Sequence, residues 1–326
     1  MRLRPSKSAS GKGYAYDFNL SWTAVTEYMR ILELLKKAAD ELERAGIEDA
    51  LPDAEMIIFH AAGMDRLEAY INNPDISGAV SGRIRRLLQR RIKGEPVQYI
   101  VGHINFLGLT IEVGRGVLIP RPETELLVQE AIKTVLSPQF TIQGSGNNVE
   151  HGTWDIEHFS VLDLCTGSGC IALALAKEFP RAEVIGSDVS AKALSFAKAN
   201  ARANSINNVR FIRGELFGPV KGRRFDIITA NPPYIRTEEM GSLQREILDW
   251  EPEEALDGGL DGLDFYRSIL SSAGIHLNPG GLIFLELGYD QADLVRQLAD
   301  RKGFKDVSVV EDFSGIGRIL KARSES

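Results

Sequence analysis

Residues 160–177 read SVLDLCTGSGCIALALAK, and this stretch decides the fold. Ser160-Val161-Leu162-Asp163-Leu164 is a short apolar run that suits a buried parallel strand. Cys165-Thr166-Gly167-Ser168-Gly169 interrupts it with two glycines, which let a backbone come close to a ligand. Cys170 to Lys177 continues as a helix whose first N–H groups face the loop. Strand, glycine loop and helix in this order form a candidate nucleotide-cofactor site; a plain tight turn is the alternative. The six-residue dinucleotide fingerprint is incomplete, because Ala172 stands where its third glycine would be. Cys165 and Cys170 flank the loop and read as small packing residues, since no His lies nearby to make either a nucleophile.

Strand and helix signals keep alternating downstream, which is the signature of a parallel α/β sheet. A second strand over 182–186 runs to Ser187-Asp188, about twenty residues past the loop, where an acid can accept hydrogen bonds from ribose hydroxyls. A helix over 191–204 and a strand over 209–212 follow, then Gly214-Glu215-Leu216-Phe217. The next strand ends at Asn231-Pro232-Pro233-Tyr234. Two prolines in a row stop any strand or helix, so an Asn side chain, two fixed carbonyls and an aromatic ring are held rigidly at a strand's C-terminal end. A helix over 263–276, a turn at Asn278-Pro279-Gly280-Gly281, a strand over 282–287, a helix over 290–301 and strands over 306–310 and 318–322 complete the pattern.

Upstream, the chain changes character. Residues 1–28 show no sustained periodicity and are expected to form a flexible extension. Residues 29–95 carry helical spacing, with Ile31, Leu32, Leu35, Ala38 and Leu42 on one face and further helices after Pro52, over 65–72 and over 77–93. The last of these holds Arg83, Arg85, Arg86, Arg90, Arg91 and Lys93 without an acid, either a solvated face or a contact for an acidic protein or RNA backbone. Residues 96–119 contain two short β-like runs about Leu107-Gly108 and read as a linking hairpin. Ile119-Pro120-Arg121-Pro122-Glu123-Thr124-Glu125 then signals a helix start, with Pro122 at a first helical position and acids in the first turn. Residues 137–159 are turn-forming and aperiodic, an insertion whose His151 and His158 read as surface residues.

The bulk numbers narrow the setting. At 326 residues, two domains are expected from the usual ~100–200 residues per domain. The net charge of −7 argues against a nonspecific nucleic-acid binder. No apolar run reaches membrane-spanning length and no secretory core follows the N-terminus, so a cytoplasmic protein is expected. Two cysteines are too few for a disulfide framework, and no Cys/His cluster has metal spacing.

DLCTGSGCIALALA, Asp188, Gly214-Glu215 and NPPY together resemble the class I S-adenosylmethionine-dependent methyltransferases. GEPVQYIVG at 94–102, NFLGLTIEV at 105–113 and LIPRPETE at 118–125, on a helical N-terminal region, narrow the resemblance to the PrmC/HemK family of release factor glutamine methyltransferases. That family implies a Rossmann-like, mostly parallel seven-stranded sheet with an antiparallel last strand at 120–326, joined by the hairpin at 96–119 to a small helical bundle at 29–95 that recognises the substrate protein. It implies methyl transfer from S-adenosylmethionine to the side-chain amide of the glutamine in the GGQ motif of a peptide chain release factor, by a monomeric enzyme without a metal. Asn231, Pro232 and Tyr234 would be catalytic. Pro233, Arg121 and Pro122 would join them in binding substrate. Cys165, Thr166, Gly167, Ser168 and Gly169 would hold the cofactor's methionine end, Asp188 its ribose, Glu215 and Leu216 its adenine side, with Asn231 reaching the methyl. Family members often carry an aromatic residue where Leu216 stands. The competing readings are an N-methyltransferase acting on a flipped nucleic-acid base, a non-catalytic binding protein and an NAD oxidoreductase. The acidic charge, the intact NPPY and the incomplete dinucleotide fingerprint disfavour them in turn.

Overall fold

The computed structural model describes residues 29–137 and 159–325. The expected extension at 1–28 and almost all of the expected insertion at 137–159, with both of its histidines, lie outside them.

The chain begins with β1 (Met29–Arg30), α1 (Ile31–Arg44), α2 (Ala50–Ala62), α3 (Arg66–Asn72), β2 (Asp75–Ile76) and α4 (Gly78–Ile92). The helices follow the apolar spacing. Gly63 ends α2 in the left-handed region, and the Ser77 side chain accepts from Val80 N at the start of α4. Ile31, Leu34, Ala38, Ile57, Ile58, Ile84 and Leu88 form a core of their own. The antiparallel β1–β2 pair is too short for any alternation to have announced it. The basic run on α4 divides. Arg91 is buried, 2.5 Å from Asp53 and 2.7 Å from Glu246, and Arg90 binds Glu95. Arg83 lies 3.2 Å from the His60 ring, while Arg86 and Lys93 are exposed.

The connecting region holds α5 (Val97–Val101), β3 (His103–Phe106) and β4 (Leu109–Glu112) before α6 (Pro122–Val135). The hairpin turns at Leu107-Gly108, both with positive φ, as a two-residue turn between twisted strands requires. The helical turn α5 precedes the two β-like runs of the expected hairpin and was not itself anticipated. It lets Val97 and Ile100 face the helical core while Tyr99 packs into the other one. The second part comprises β5 (Ser160–Leu164), α7 (Cys170–Glu178), β6 (Glu183–Asp188), α8 (Ala191–Ala203), β7 (Val209–Arg213), β8 (Phe225–Ala230), α9 (Arg245–Trp250), α10 (Asp264–His276), β9 (Leu277–Glu286), α11 (Ala292–Arg301), β10 (Lys305–Glu311) and β11 (Gly317–Arg323).

Seven strands form one sheet in the order β10-β11-β9-β8-β5-β6-β7. All neighbours pair in parallel except β11, which runs antiparallel to both β9 and β10. One face is covered by α6, α7 and the hairpin, the other by α10 and α11, and each contact makes a separate core. The expected turn at 278–281 is instead part of β9. Five residue steps from Leu277 to Leu282 face two from Phe225 to Ile227, so the glycines bulge out of a continuing strand. The strand order reverses between β5 and β8, and a parallel sheet opens its ligand crevice at such a switch point, beyond the strands' C-terminal ends.

The hairpin is fastened to α8 by side chains. Asn200 Oδ1 accepts from Glu112 N at 2.7 Å and its Nδ2 donates to Glu112 O and Ser168 O. One turn later, Asn204 makes the same pair of bonds to the backbone of Thr110. Two amides at i and i+4 thus imitate the edge of a strand beside β4.

Candidate active site

At the switch point the C-terminal ends of β5, β6 and β8 open into a cavity that is continuous with solvent. Cys165, Thr166, Gly167, Ser168, Asp188, Glu215, Leu216, Asn231 and Pro233, all expected site residues, line it. Gly169 sits just behind the loop, and Pro232 and Tyr234 flank Asn231 without contributing to the wall.

The loop is shaped from below. Asp163 is fully buried and accepts from Thr166 Oγ1 at 2.5 Å and from Thr229 Oγ1 at 2.8 Å. Burial raises its carboxyl to about 7, against the pull of those hydroxyls. Asp188 accepts from Gly167 N at 2.9 Å and Ser190 N at 2.8 Å, so it ties the loop to the start of α8; burial raises its pKa and these N–H groups oppose the rise. Gly169 has φ of 82°, and a Cβ there would stand 3.0 Å from Ala197 and from the Phe211 ring, so the position needs glycine twice over. The buried Ser168 hydroxyl lines the cavity beside the Cys170 thiol, with which it shares a hydrogen bond. Backbone brought close by glycines, a buried serine hydroxyl and a carboxylate at the end of β6 fit the polar end and the ribose of an S-adenosyl cofactor. Burial pushes the thiols of Cys165 and Cys170 well above the ordinary range, which keeps both protonated and unreactive. Phe217 stacks on His276 with ring centroids 4.6 Å apart and does not line the cavity, whereas Leu216 does. The aromatic wall comes instead from Phe265 on α10, which nothing in the local sequence distinguished.

The NPPY turn is clamped from several sides. Gln291 Nε2 donates to Tyr234 O at 2.8 Å and to Gly262 O at 3.3 Å. Ile235 N donates to Leu256 O, and Gly258 N to Ile235 O. Burial raises the Tyr234 hydroxyl above its ordinary value. Asn231 Nδ2 donates to Thr124 Oγ1 at 3.3 Å, and Thr124 Oγ1 donates to Glu286 Oε2 at 2.7 Å. Glu286 is 1% exposed and burial raises it to about 7. Thr124, Glu286, Asp163, Gln291 and Asn200 all bear on the site without having been singled out. Thr124 lay inside the quoted PRPETE, but its partners are far away in sequence.

Arg121 is committed. Its Nη2 donates to Glu251 Oε1 at 2.5 Å, while Glu251 Oε2 accepts from Ile119 N at 3.1 Å. Glu251 belongs to a strap over 237–256 whose Pro252, Glu254 and Ala255 close one side of the cavity. Pro122 starts α6 and does not reach the cavity wall, whereas Pro120 does.

The PrmC N-terminal domain family matches residues 33–102 and the methyltransferase small domain family residues 149–259. Among solved structures, the chain is similar to a release factor-specific protein-(glutamine-N5) methyltransferase from Alicyclobacillus acidocaldarius, with 29% identity, 66% of this chain and 100% of that one covered, and a TM-score of 0.38. It is also similar to a Pyrococcus furiosus methyltransferase, with 20% identity, coverage of 76% and 100%, and a TM-score of 0.47. A release factor glutamine methyltransferase of Geobacter sulfurreducens is 39% identical over 306 residues, covering 92% of this chain and 99% of that relative. The one from Thermodesulfovibrio yellowstonii is 46% identical over 268 residues, covering 82% and 90%. Identity of that order, sustained through the helical bundle, the hairpin and the cofactor sheet, means that the chain belongs to the release factor glutamine methyltransferase family.

Proposed function

We propose that this protein methylates the side-chain amide nitrogen of a glutamine in a peptide chain release factor, with S-adenosylmethionine as donor. One observation carries the site-level reading: Asn231 stands on the cavity wall beside the glycine loop, with one N–H of its amide given to Thr124. That bond holds the NH₂ end toward Thr124 and leaves Oδ1, the acceptor end, for a substrate N–H.

A primary amide nitrogen is a weak nucleophile because its lone pair is delocalised into the carbonyl. When bound, S-adenosylmethionine supplies a methyl group activated by its sulfonium charge. Asn231 Oδ1 and the Pro232 carbonyl accept hydrogen bonds from the target NH₂, turn its lone pair toward the donor and favour a pyramidal nitrogen. Tyr234 packs against the planar amide, and the two prolines with the Gln291 clamp keep these groups from drifting. No strong base is required before transfer, since the proton becomes acidic once the nitrogen carries the methyl. Thr166 to Gly169, Asp188, Glu215 and Leu216 orient the cofactor, and the strap at 252–255 shields it from water.

The decisive experiment incubates the protein with methyl-labelled S-adenosylmethionine and, in separate arms, release factor, RNA and DNA. Label is expected in the release factor glutamine alone; label confined to nucleic acid would overturn the reading. Asn231→Ala should lower kcat by at least about a hundredfold while calorimetry finds cofactor affinity little changed.

A further inference from the structure

We propose that Glu286 is a positioning residue that acts through Thr124 to set which way round the Asn231 amide sits, and thereby the rate of methyl transfer. The inference rests on the functional reading above and deepens it.

An Asn side chain is nearly symmetric in shape but opposite in polarity at its two ends. Only one orientation serves the substrate: Oδ1 toward the target NH₂, Nδ2 away. Flipped, two NH₂ groups would confront each other. Thr124 alone cannot enforce the choice, because a hydroxyl both donates and accepts and can turn to suit either end. Glu286 removes that freedom. Thr124 Oγ1 lies 2.7 Å from Glu286 Oε2, and an ionised carboxylate only accepts, so the hydroxyl proton is drawn to it. Thr124 is then left with lone pairs toward Asn231, whose Nδ2 stands 3.3 Å away. The chain of bonds has one direction, from Asn231 N–H to Thr124 O–H to Glu286. Each link comes from a different element: the turn after β8, the first turn of α6 and the end of β9.

Protonation reverses the choice. A neutral Glu286 carboxyl can donate to Thr124, and Thr124 can then donate to Asn231, which favours the flipped amide. Burial has brought this carboxyl to about 7, so the relay switches near neutrality. The groups that bear on it are Arg121 and Glu123 at the start of α6, Arg318 on β11, Tyr234 after β8, Tyr266 on α10 (whose hydroxyl donates to the Glu286 carbonyl) and Cys170 on α7.

The test measures kcat, KM for release factor, cofactor affinity and melting temperature between pH 6 and 8.5. The wild type is expected to gain rate as pH rises through about 7. Glu286→Gln, which keeps the shape but can donate, should lose at least about tenfold in kcat at pH 8 with KM and cofactor affinity nearly unchanged, and should lose the pH step. Thr124→Val should lose a similar factor, Thr124→Ser should recover most of it, and the Glu286→Gln/Thr124→Val pair should be no slower than the worse single variant. A wild-type rate and pH profile in Glu286→Gln, or losses that multiply in the pair, would overturn the relay. If Glu286→Gln does not fold, equal rates for Thr124→Val and the wild type overturn it as well. A wild type that methylates no release factor would instead refute the functional reading itself.

Discussion

Asp163 and Glu286 are two acids held in the apolar interior, each within reach of a hydroxyl donor. Both sit about 7 in the folded chain, against ordinary values of 3.8 and 4.5. The sign follows directly. Between the ordinary value and about 7 the unfolded chain has released these protons while the folded chain keeps them, so each acid lowers stability as pH rises across that window. Below the window neither state is ionised and the cost vanishes; above it the cost is complete. Each contributes a slope of about 1.4 kcal/mol per pH unit. Comparing urea unfolding of the wild type and Glu286→Gln at pH 5 and pH 8 should therefore show the wild type losing about 3 kcal/mol relative to the variant. Equal pH dependence in the two proteins would mean that Glu286 is not held neutral. At this scale the sequence was readable where chemistry is contiguous. NPPY and DLCTGSG declare themselves because each is one turn of chain. Thr124 and Glu286 do not, because Asn231 meets them only after the sheet has closed. Asp163 was read as a strand residue, and its role under the loop depends on Thr229 of a neighbouring strand.

Among the elements, α8 does more than cover the sheet. Asn200 is fully buried and bonds both to β4 and to the carbonyl of Ser168 in the glycine loop. Replacing it with Ala leaves those backbone groups without partners and should cost about 2–3 kcal/mol; thermal unfolding would register it, with weaker cofactor binding because Ser168 is released. A change below a few tenths of a kcal/mol would show that the ladder bears no weight. Helix and strand positions in the catalytic part were legible because apolar period and turn chemistry agree there. The misread pieces are those where tertiary packing overrides local signals. Asn278-Pro279-Gly280-Gly281 has every mark of a turn, yet β8 pairs with β9 at Leu277 and again from Leu282, so the segment between them is a bulge in one strand. GEPVQYIVG carries no helical period of its own length, and α5 coils there to present side chains to two cores.

Across the whole molecule, the helical bundle and the cofactor sheet are joined by charge as well as by chain. Arg91 sits between Asp53 of its own bundle and Glu246 of the strap. The strap is held again by Arg121 through Glu251, and the Arg115 guanidinium lies over the Trp250 ring. The bundle therefore reaches the wall of the cavity through Glu246 and the residues that follow it. Arg91→Met removes the shared cation and leaves the buried Asp53 carboxylate unpaired beside the half-buried Glu246. It should destabilise the protein by about 3 kcal/mol or more, seen as a lower urea midpoint, and raise KM for release factor more than it weakens cofactor binding. A variant with wild-type stability would show that the two parts do not depend on this ion pair. The basic run on α4 was visible in sequence, but not that one of its arginines faces inward, because its acidic partners lie 38 residues upstream and far downstream.

The two-amide ladder on α8 also sets how this protein ages. Asn204 stands at the C-terminal end of its helix, half-buried, with Ser205 after it in a left-handed conformation. Slow hydrolysis of that amide in warm storage would turn a donor into a second acceptor facing the Thr110 carbonyl, and asparagine is among the thermolabile side chains. The hairpin would then begin to peel from its outer rung while Asn200, buried beneath, kept the inner one closed. Old preparations should lose the grip on Thr110 before any group that lines the cavity has changed.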